Sequence, residues 1–161
     1  MSLPNTTPQT PKPQTPVPAG IPVDALQAAL AAEHAMVWVL EVATAFVSGK
    51  LSAALAEGLT AHRARRDAAE RLLRGFGARP LPAEPAYATP VPVTDQASAV
   101  AVLIAAETDL TESWRAVIER TDDSGLRKVA LDSLTDSAVR ATRWRVVAAT
   151  GPLTVALPGQ A

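Results

Sequence analysis

Apolar residues recur at steps of three and four positions over four separate stretches of the chain. This spacing is typical of helices that bury one face, so the sequence predicts four amphipathic α-helices. Asp24 with Gln27 three positions later is typical of a capping box and predicts the start of the first helix, and Thr94 is the predicted N-cap of the third. The predicted helices span residues 24–48, 51–74, 95–120 and 123–149.

The connections between these helices are of two kinds. Only a few residues around Gly49 separate helices 1 and 2, and only the turn 121–125 separates helices 3 and 4, so each pair predicts an antiparallel hairpin. Residues 76–94 are rich in proline and reach on the order of 59 Å when extended. The sequence therefore predicts an all-α, ferritin-like four-helix bundle, in which a long Pro-rich crossover joins the two hairpins. The alternative is an ordinary bundle with a long flexible loop.

Both ends of the chain lack a helical pattern. Residues 1–22 hold half of the chain's 14 prolines and repeat the segment PQTP, so they predict a disordered Pro-rich arm. Such an arm is either a tether or docking peptide for a protein partner, or a tail without specific contacts. Residues 151–161 begin with Gly-Pro and predict a flexible tail, which leaves residues 23–150 as the bundle.

Composition excludes several classes of function. The net charge of −1 provides no basic surplus for binding nucleic acid. The absence of cysteine excludes disulfides, thiol catalysis and iron–sulfur clusters. The N-terminus has no basic stretch followed by an apolar run, and we find no uninterrupted apolar stretch of about 20 residues. We therefore expect a cytoplasmic protein that does not contact a membrane.

Ionisable residues interrupt the apolar stripe near the middle of each predicted helix. Four helices packed side by side would bring these residues together, because each lies at a similar height in the bundle. Buried ionisable groups must pair, bind metal or change protonation state. The predicted mid-bundle charge cluster comprises Glu33 of helix 1, His62 and Arg66 of helix 2, Glu107 of helix 3, and Asp136 and Arg140 of helix 4.

Two interpretations of this cluster are open. In the first, the three carboxylates and His62 hold one or two metal ions. In the second, no metal binds, because Arg66 neutralises Glu33 and Arg140 neutralises Glu107. The third carboxylate is then left over, and only His62 can gain a proton to balance it. The second interpretation predicts that neighbouring carboxylates raise the pKa of His62.

Four segments of the chain resemble an uncharacterised bacterial family that is assigned to the ferritin-like superfamily. The resemblance covers roughly residues 24–146 and implies a ferritin-like fold, but the family has no assigned activity. The segments are AALAAEHAMVWVLE, AHRARRDAAERL, PAYATPVPVTDQASA and LDSLTDSAVRATRWR.

The resemblance also implies a ligand pattern, which this chain matches only in part. Metal-binding members of the superfamily carry Glu on helices 1 and 3 and Glu-x-x-His on helices 2 and 4. Glu33 and Glu107 match the single carboxylates, but no Glu-x-x-His occurs and helix 4 has no histidine. On helix 2, His62 and Arg65 stand at that spacing, and an arginine cannot ligate a metal. We therefore predict no catalytic residues and no cofactor; if a metal binds, its ligands are Glu33, His62 and Glu107.

These observations predict a non-catalytic helical protein that acts through association with itself or with a partner. We expect a homodimer formed through helices 1 and 2, because ferritin-like bundles often pair there and because Trp38 and Phe46 lie off the inward stripe of helix 1. His34 is expected at the surface or in an interface, since it points about 100° away from Glu33. Two alternatives are open: a metal-binding ferritin-like oxidoreductase or storage protein with a degenerate site, and a small apolar-ligand binder.

Overall fold

The structure, a computed structural model, describes residues 20–160 and confirms an all-α fold. The predicted arm falls mainly on residues 1–19, which lie outside the described residues, as does Ala161. A single 3₁₀ turn, Gly49–Leu51, precedes the second helix. The four helices are α1 (Val23–Ala43), α2 (Ser52–Gly75), α3 (Gln96–Arg120) and α4 (Ser124–Ala148).

Two of the predicted helix caps are wrong, although both helices begin within one residue of their predicted starts. Helix α1 begins after Pro22 without a side-chain cap, and the Asp24 carboxylate instead pairs with Arg120 at 2.7 Å. Helix α3 is capped by Asp95, whose carboxylate accepts a hydrogen bond from the Ser98 backbone N–H at 2.8 Å. The Ser98 hydroxyl accepts from the Asp95 backbone N–H in return, which completes a capping box one residue after the predicted cap.

Helix α1 ends at Ala43, five residues before the predicted end at 48. The following turn folds Val47 back onto the core, where only 5 % of the residue is exposed. Gly49 has a positive φ of 64°, which turns the chain into α2. The spacing of apolar residues continues past the end of α1 because the turn after this helix also contributes side chains to the core.

The helices form a bundle in which α1 contacts both α2 and α3, and α3 contacts α4. The hydroxyl of Thr121, just after α3, donates to the carbonyl of Gly20, just before α1, so these two helices are antiparallel. Each hairpin is antiparallel as well, and α2 and α3 therefore run in the same direction. Two consecutive helices that run in the same direction require a long connection between them. The parallel directions of α2 and α3 therefore confirm the predicted crossover between two hairpins.

The crossover lies along the outer side of α1. The Gln27 amide donates to the carbonyl of Arg79 at 2.7 Å and accepts from the N–H of Leu81 at 3.0 Å. Farther along, Trp38 packs against Tyr87 with ring centroids 6.1 Å apart. The half-buried position of Trp38 thus reflects cover by its own chain, and it no longer supports pairing through α1 and α2.

His34 lies beneath the crossover, and its predicted surface location is wrong. Its Nε2 is 3.2 Å from the carbonyl oxygen of Leu81, and the residue is only 7 % exposed. The ring does point away from the bundle axis, as its position next to Glu33 requires. The crossover provides the second layer that buries it.

Helix α1 is long and apolar enough to span a membrane by length and composition. More than half of its most apolar window is buried in the bundle, and the carboxylate of Glu33 within it is fully enclosed. These two properties are those of the central helix of a packed domain, which buries apolar side chains on several faces.

Both ends of the described chain contact the bundle. Ile21 packs against the core, so the folded part begins earlier than the predicted boundary at 23. At the other end, Gly159 lies against α3, and a Cβ at this position would come within 2.6 Å of the Thr111 carbonyl oxygen. The expected loose tail is thus replaced by a segment that returns along α3 and encloses a groove of about 510 Å³ with α3 and α4.

Candidate functional site

The centre of the bundle is a histidine held between two glutamates. Nδ1 of His62 lies 2.8 Å from Oε2 of Glu33, and Nε2 lies 3.1 Å from Oε1 of Glu107. All three residues have 0 % exposure. The structure therefore brings together three members of the predicted charge cluster, from α1, α2 and α3.

Two further side chains complete this network around Glu33. Trp114 of α3 donates its indole N–H to Oε1 of Glu33 at 2.9 Å. The guanidinium Nη1 of Arg65 lies 3.7 Å from the same oxygen, and it donates to the carbonyl of Ser133 and to the hydroxyl of Ser137 on α4. The network, defined as Glu33, His62, Arg65, Glu107 and Trp114, thus reaches all four helices.

The charges of this network balance when His62 is protonated. Ionised carboxylates only accept hydrogen bonds, so both ring nitrogens of His62 must carry hydrogen to satisfy the two glutamates. Burial opposes the charged ring, but the hydrogen bonds and charges of Glu107 and Glu33 outweigh it and raise the pKa of His62 above 6.5. This direction confirms the prediction. Two carboxylates then face one imidazolium and one guanidinium.

Three members of the predicted cluster lie outside the network, and their predicted pairings are wrong. Arg66 turns towards solvent and pairs with Asp67 at 2.8 Å. Arg140 does not pair with Glu107. It pairs with Glu57, near the N-terminal end of α2, at 3.2 Å. Asp136 is exposed on the outer side of α4. Arg65 performs the neutralising role assigned to Arg66, since one residue along a helix is a rotation of about 100°.

The sequence contained a signal for Arg65 and a weaker one for the remaining partners. Arg65 follows His62 by three positions, on the same helical face. Trp114 lies in the apolar stripe of α3, and a buried indole N–H requires an acceptor. Ser133 and Ser137 line α4 in the core, but small polar residues carry no hydrophobic signal.

A metal ion does not fit this donor set. Both nitrogens of His62 already bond to carboxylates, and a ligating ring needs one nitrogen deprotonated. Arg65 adds a fixed positive charge 3.7 Å from Glu33. Within residues 20–160, no group of three or more His, Cys, Asp or Glu side chains is arranged to hold a metal. The Oε2 atom of Glu107 has no hydrogen-bond partner in the described chain, so this carboxylate depends on His62.

The raised pKa of His62 makes stability depend on pH with a fixed sign. The folded state binds the His62 proton more tightly than the unfolded state, whose pKa is near 6.5. The stabilisation is therefore fully present below about pH 6.5 and is lost as pH rises through the folded pKa. We expect the difference in unfolding free energy between the protein and a His62→Gln variant to shrink from pH 6 towards pH 9, measured by urea denaturation.

An NMR titration of the His62 ring provides the direct check on this linkage. The folded pKa of His62 should lie above 6.5. His34 is present in both the wild type and the His62→Gln variant, so its contribution cancels in the difference between their unfolding free energies. If the unfolding free energy of the wild type exceeded that of His62→Gln by an amount that grows with pH, the protonated state of His62 would be contradicted.

Comparisons with known proteins place the chain in a family without an assigned role. The fold is similar to the crystal structure of a conserved hypothetical protein, rv2844, from Mycobacterium tuberculosis, with a TM-score of 0.77 and 35% sequence identity. The match covers 84% of this chain and 95% of that chain. No curated protein matches. The model of a domain of unknown function, DUF4439, matches residues 25–161, and the chain belongs to this family.

Proposed function

We propose that this protein is a bacterial, cytoplasmic, ferritin-like bundle that has no catalytic centre and acts through association with itself or another protein. The helix directions support the ferritin-like assignment, because two antiparallel hairpins joined by a long crossover are the connectivity of that superfamily. In such bundles the metal is held at mid-height by side chains from all four helices. The network occupies the same height here.

The observation that carries the proposal is the use of every donor of His62 within this network. Its two nitrogens bond to Glu33 and Glu107, and Arg65 approaches Glu33. The charges cancel, and the three central residues are closed to solvent. Within the network, Oε2 of Glu107 and Nη2 of Arg65 lack a hydrogen-bond partner among the described residues. A reactive centre needs a group that can reach a substrate, whereas the three central residues here bond to one another and are enclosed. We therefore assign it a structural role.

Association is supported by the outer face of the second hairpin. Among the described residues, most of the large apolar side chains that are exposed lie on α4 or on the tail that follows it. Single exposed apolar residues are ordinary, but several on one hairpin favour an interaction site. The exposed apolar residues of this hairpin and its tail are Leu131, Val139, Val146 and Val147 of α4 and Leu153, Val155 and Leu157 of the tail.

A small-molecule ligand is a second candidate, favoured by the groove between α3, α4 and the tail. Its volume of about 510 Å³ falls in the range of ligand sites, roughly 300–1,000 Å³. Its lining combines apolar residues such as Leu134 and Val155 with several threonine hydroxyls. The ligand would thus lie outside the bundle core.

Metal loading tests the proposal. The purified protein is expected to bind no stoichiometric Fe²⁺ or Mn²⁺ after incubation with either ion and desalting, measured by elemental analysis. Its unfolding temperature should be unchanged by the ion, because metal entry would require His62 to lose a proton and a carboxylate partner. Glu107→Ala serves as the comparison, since it removes one of the three candidate ligands. Uptake of one or two ions per chain that this substitution abolishes would overturn the structural assignment.

A further inference from the structure

We infer that the associating partner is a second copy of this chain, whose α4 packs antiparallel against α4 across a two-fold axis near Ala138 and Val139. This inference rests on the proposed function and specifies its partner. It is carried by the exposed surface of α4 and by the symmetry of that surface.

Helix α4 presents apolar side chains on two opposite sides. Leu126 and Trp144 belong to the buried core of the bundle. Leu131, Val139 and Val146 are respectively 54%, 45% and 58% exposed on the other side. A helix at the edge of a single bundle normally keeps one polar face. The second apolar side of α4 therefore indicates contact with another helix.

The outer residues of α4 form a stripe that is symmetric about its own centre. At about 100° per residue, its members fall within an arc of roughly 100°. Their spacing reads the same from either end, so two antiparallel copies place Leu131 opposite Val146 and Thr135 opposite Thr142. A two-fold interface needs this self-complementarity. Part of this surface also lines the groove beside the tail, so a second copy would compete with any ligand bound there. The α4 stripe comprises Leu131, Thr135, Ala138, Val139, Thr142 and Val146, of which Thr135, Ala138, Val139 and Thr142 line the groove.

The charges beside the α4 stripe favour an antiparallel pair of copies. Asp136 lies on the N-terminal side of the centre and makes no ion pair among the described residues. Arg143 lies on the C-terminal side, where its guanidinium is 66% exposed and 3.8 Å from the carboxylate of Glu57. In an antiparallel pair, Asp136 of one copy lies within about 3 Å along the axis of Arg143 of the other. In a parallel two-fold pair this flank of the two copies lies on opposite sides of the interface, so neither charge would face the other copy's opposite charge.

Sedimentation equilibrium of the full chain tests the inference. From low micromolar concentration upward, we expect the mass to rise from 16.8 kDa towards twice that value. Val139→Asp should hold the protein at the mass of one chain, because the two aspartates would meet at the axis. Val91→Asp is the matched control, since Val91 is 41% exposed in the crossover and should leave the dimer intact. Circular dichroism verifies that each variant is folded.

A charge exchange tests the antiparallel orientation. Asp136→Arg and Arg143→Asp should each weaken the dimer, by about fivefold or more in dissociation constant, because each places like charges opposite one another. The double variant restores opposite charges and should recover dimer formation. Failure of this recovery, with both single variants impaired, would overturn the antiparallel arrangement.

The remaining outcomes separate this inference from the proposed function. A wild-type chain that is monomeric at every concentration overturns self-pairing, as does a dimer that Val139→Asp leaves intact. Neither result touches the structural assignment of the network, which fails only on metal uptake. If the monomer binds a different protein through α4, the association remains but the second copy is wrong.

Discussion

Replacement of His62 by leucine is expected to lower the free energy of unfolding by about 3–5 kcal/mol, because it strands two buried carboxylates. The loss falls mainly on Glu107, whose only hydrogen bond in the described chain is to His62. Glu33 keeps the indole N–H of Trp114. Urea denaturation at pH 6, where His62 is charged, measures the change.

A triple substitution distinguishes charge stranding from loss of packing. Glu33→Met, His62→Leu and Glu107→Met together remove both carboxylates and their cation, and apolar groups of similar volume often replace a buried ionic cluster at little cost. The triple variant should therefore be markedly more stable than His62→Leu alone. Equal losses in the two variants would mean that the imidazole contributes through shape, and the ionic description would be wrong.

Replacement of Arg65 by alanine is expected to cost about 1–3 kcal/mol, because it removes a charged hydrogen-bond donor from a largely buried position. The side chain bonds to Ser133 and Ser137 and approaches Glu33. The cost is smaller than for His62, since Glu33 retains two other donors. Urea denaturation of the purified variant provides the value.

The neighbouring arginine is the matched control for this variant. Arg66 pairs with the half-exposed Asp67 at the surface, so Arg66→Ala should change stability by no more than about 0.5 kcal/mol. The two variants remove the same atoms one position apart. A larger loss for Arg66→Ala than for Arg65→Ala would restore the original charge cluster and contradict the structure.

The sequence predicted the helices and the crossover because both depend on strong, local signals. Leucines at steps of three and four mark α1 and α2, and the prolines of residues 76–94 cannot continue a helix. The helix ends were less certain, as Thr94 shows. Asp95 and Thr94 are both good caps. The sequence does not show which of these two side chains accepts the hydrogen bond from the Ser98 backbone N–H.

The candidate site could be predicted only as far as hydrophobic contrast extends. Glu33 and Glu107 each interrupt a run of leucine and valine, so their burial was visible. Between Leu126 and Trp144, the buried side of α4 includes Ala130, Ser133 and Ser137, which have little contrast. The apolar spacing on this helix therefore gives little indication that Asp136 faces outward. A helix with two apolar sides has no single amphipathic direction to detect.

The network joins partners that are far apart in sequence: Trp114 follows Glu33 by 81 positions, and Ser137 follows Arg65 by 72. Neither hairpin alone contains both cations and both carboxylates, so the network assembles only when the hairpins dock. A slip of one hairpin past the other by one helical turn, about 5.4 Å, would separate Glu107 from His62 and Trp114 from Glu33, and would strand a buried carboxylate at full desolvation cost. Leucine contacts tolerate such a slip far better. The network therefore fixes the register in which the two halves of the chain meet.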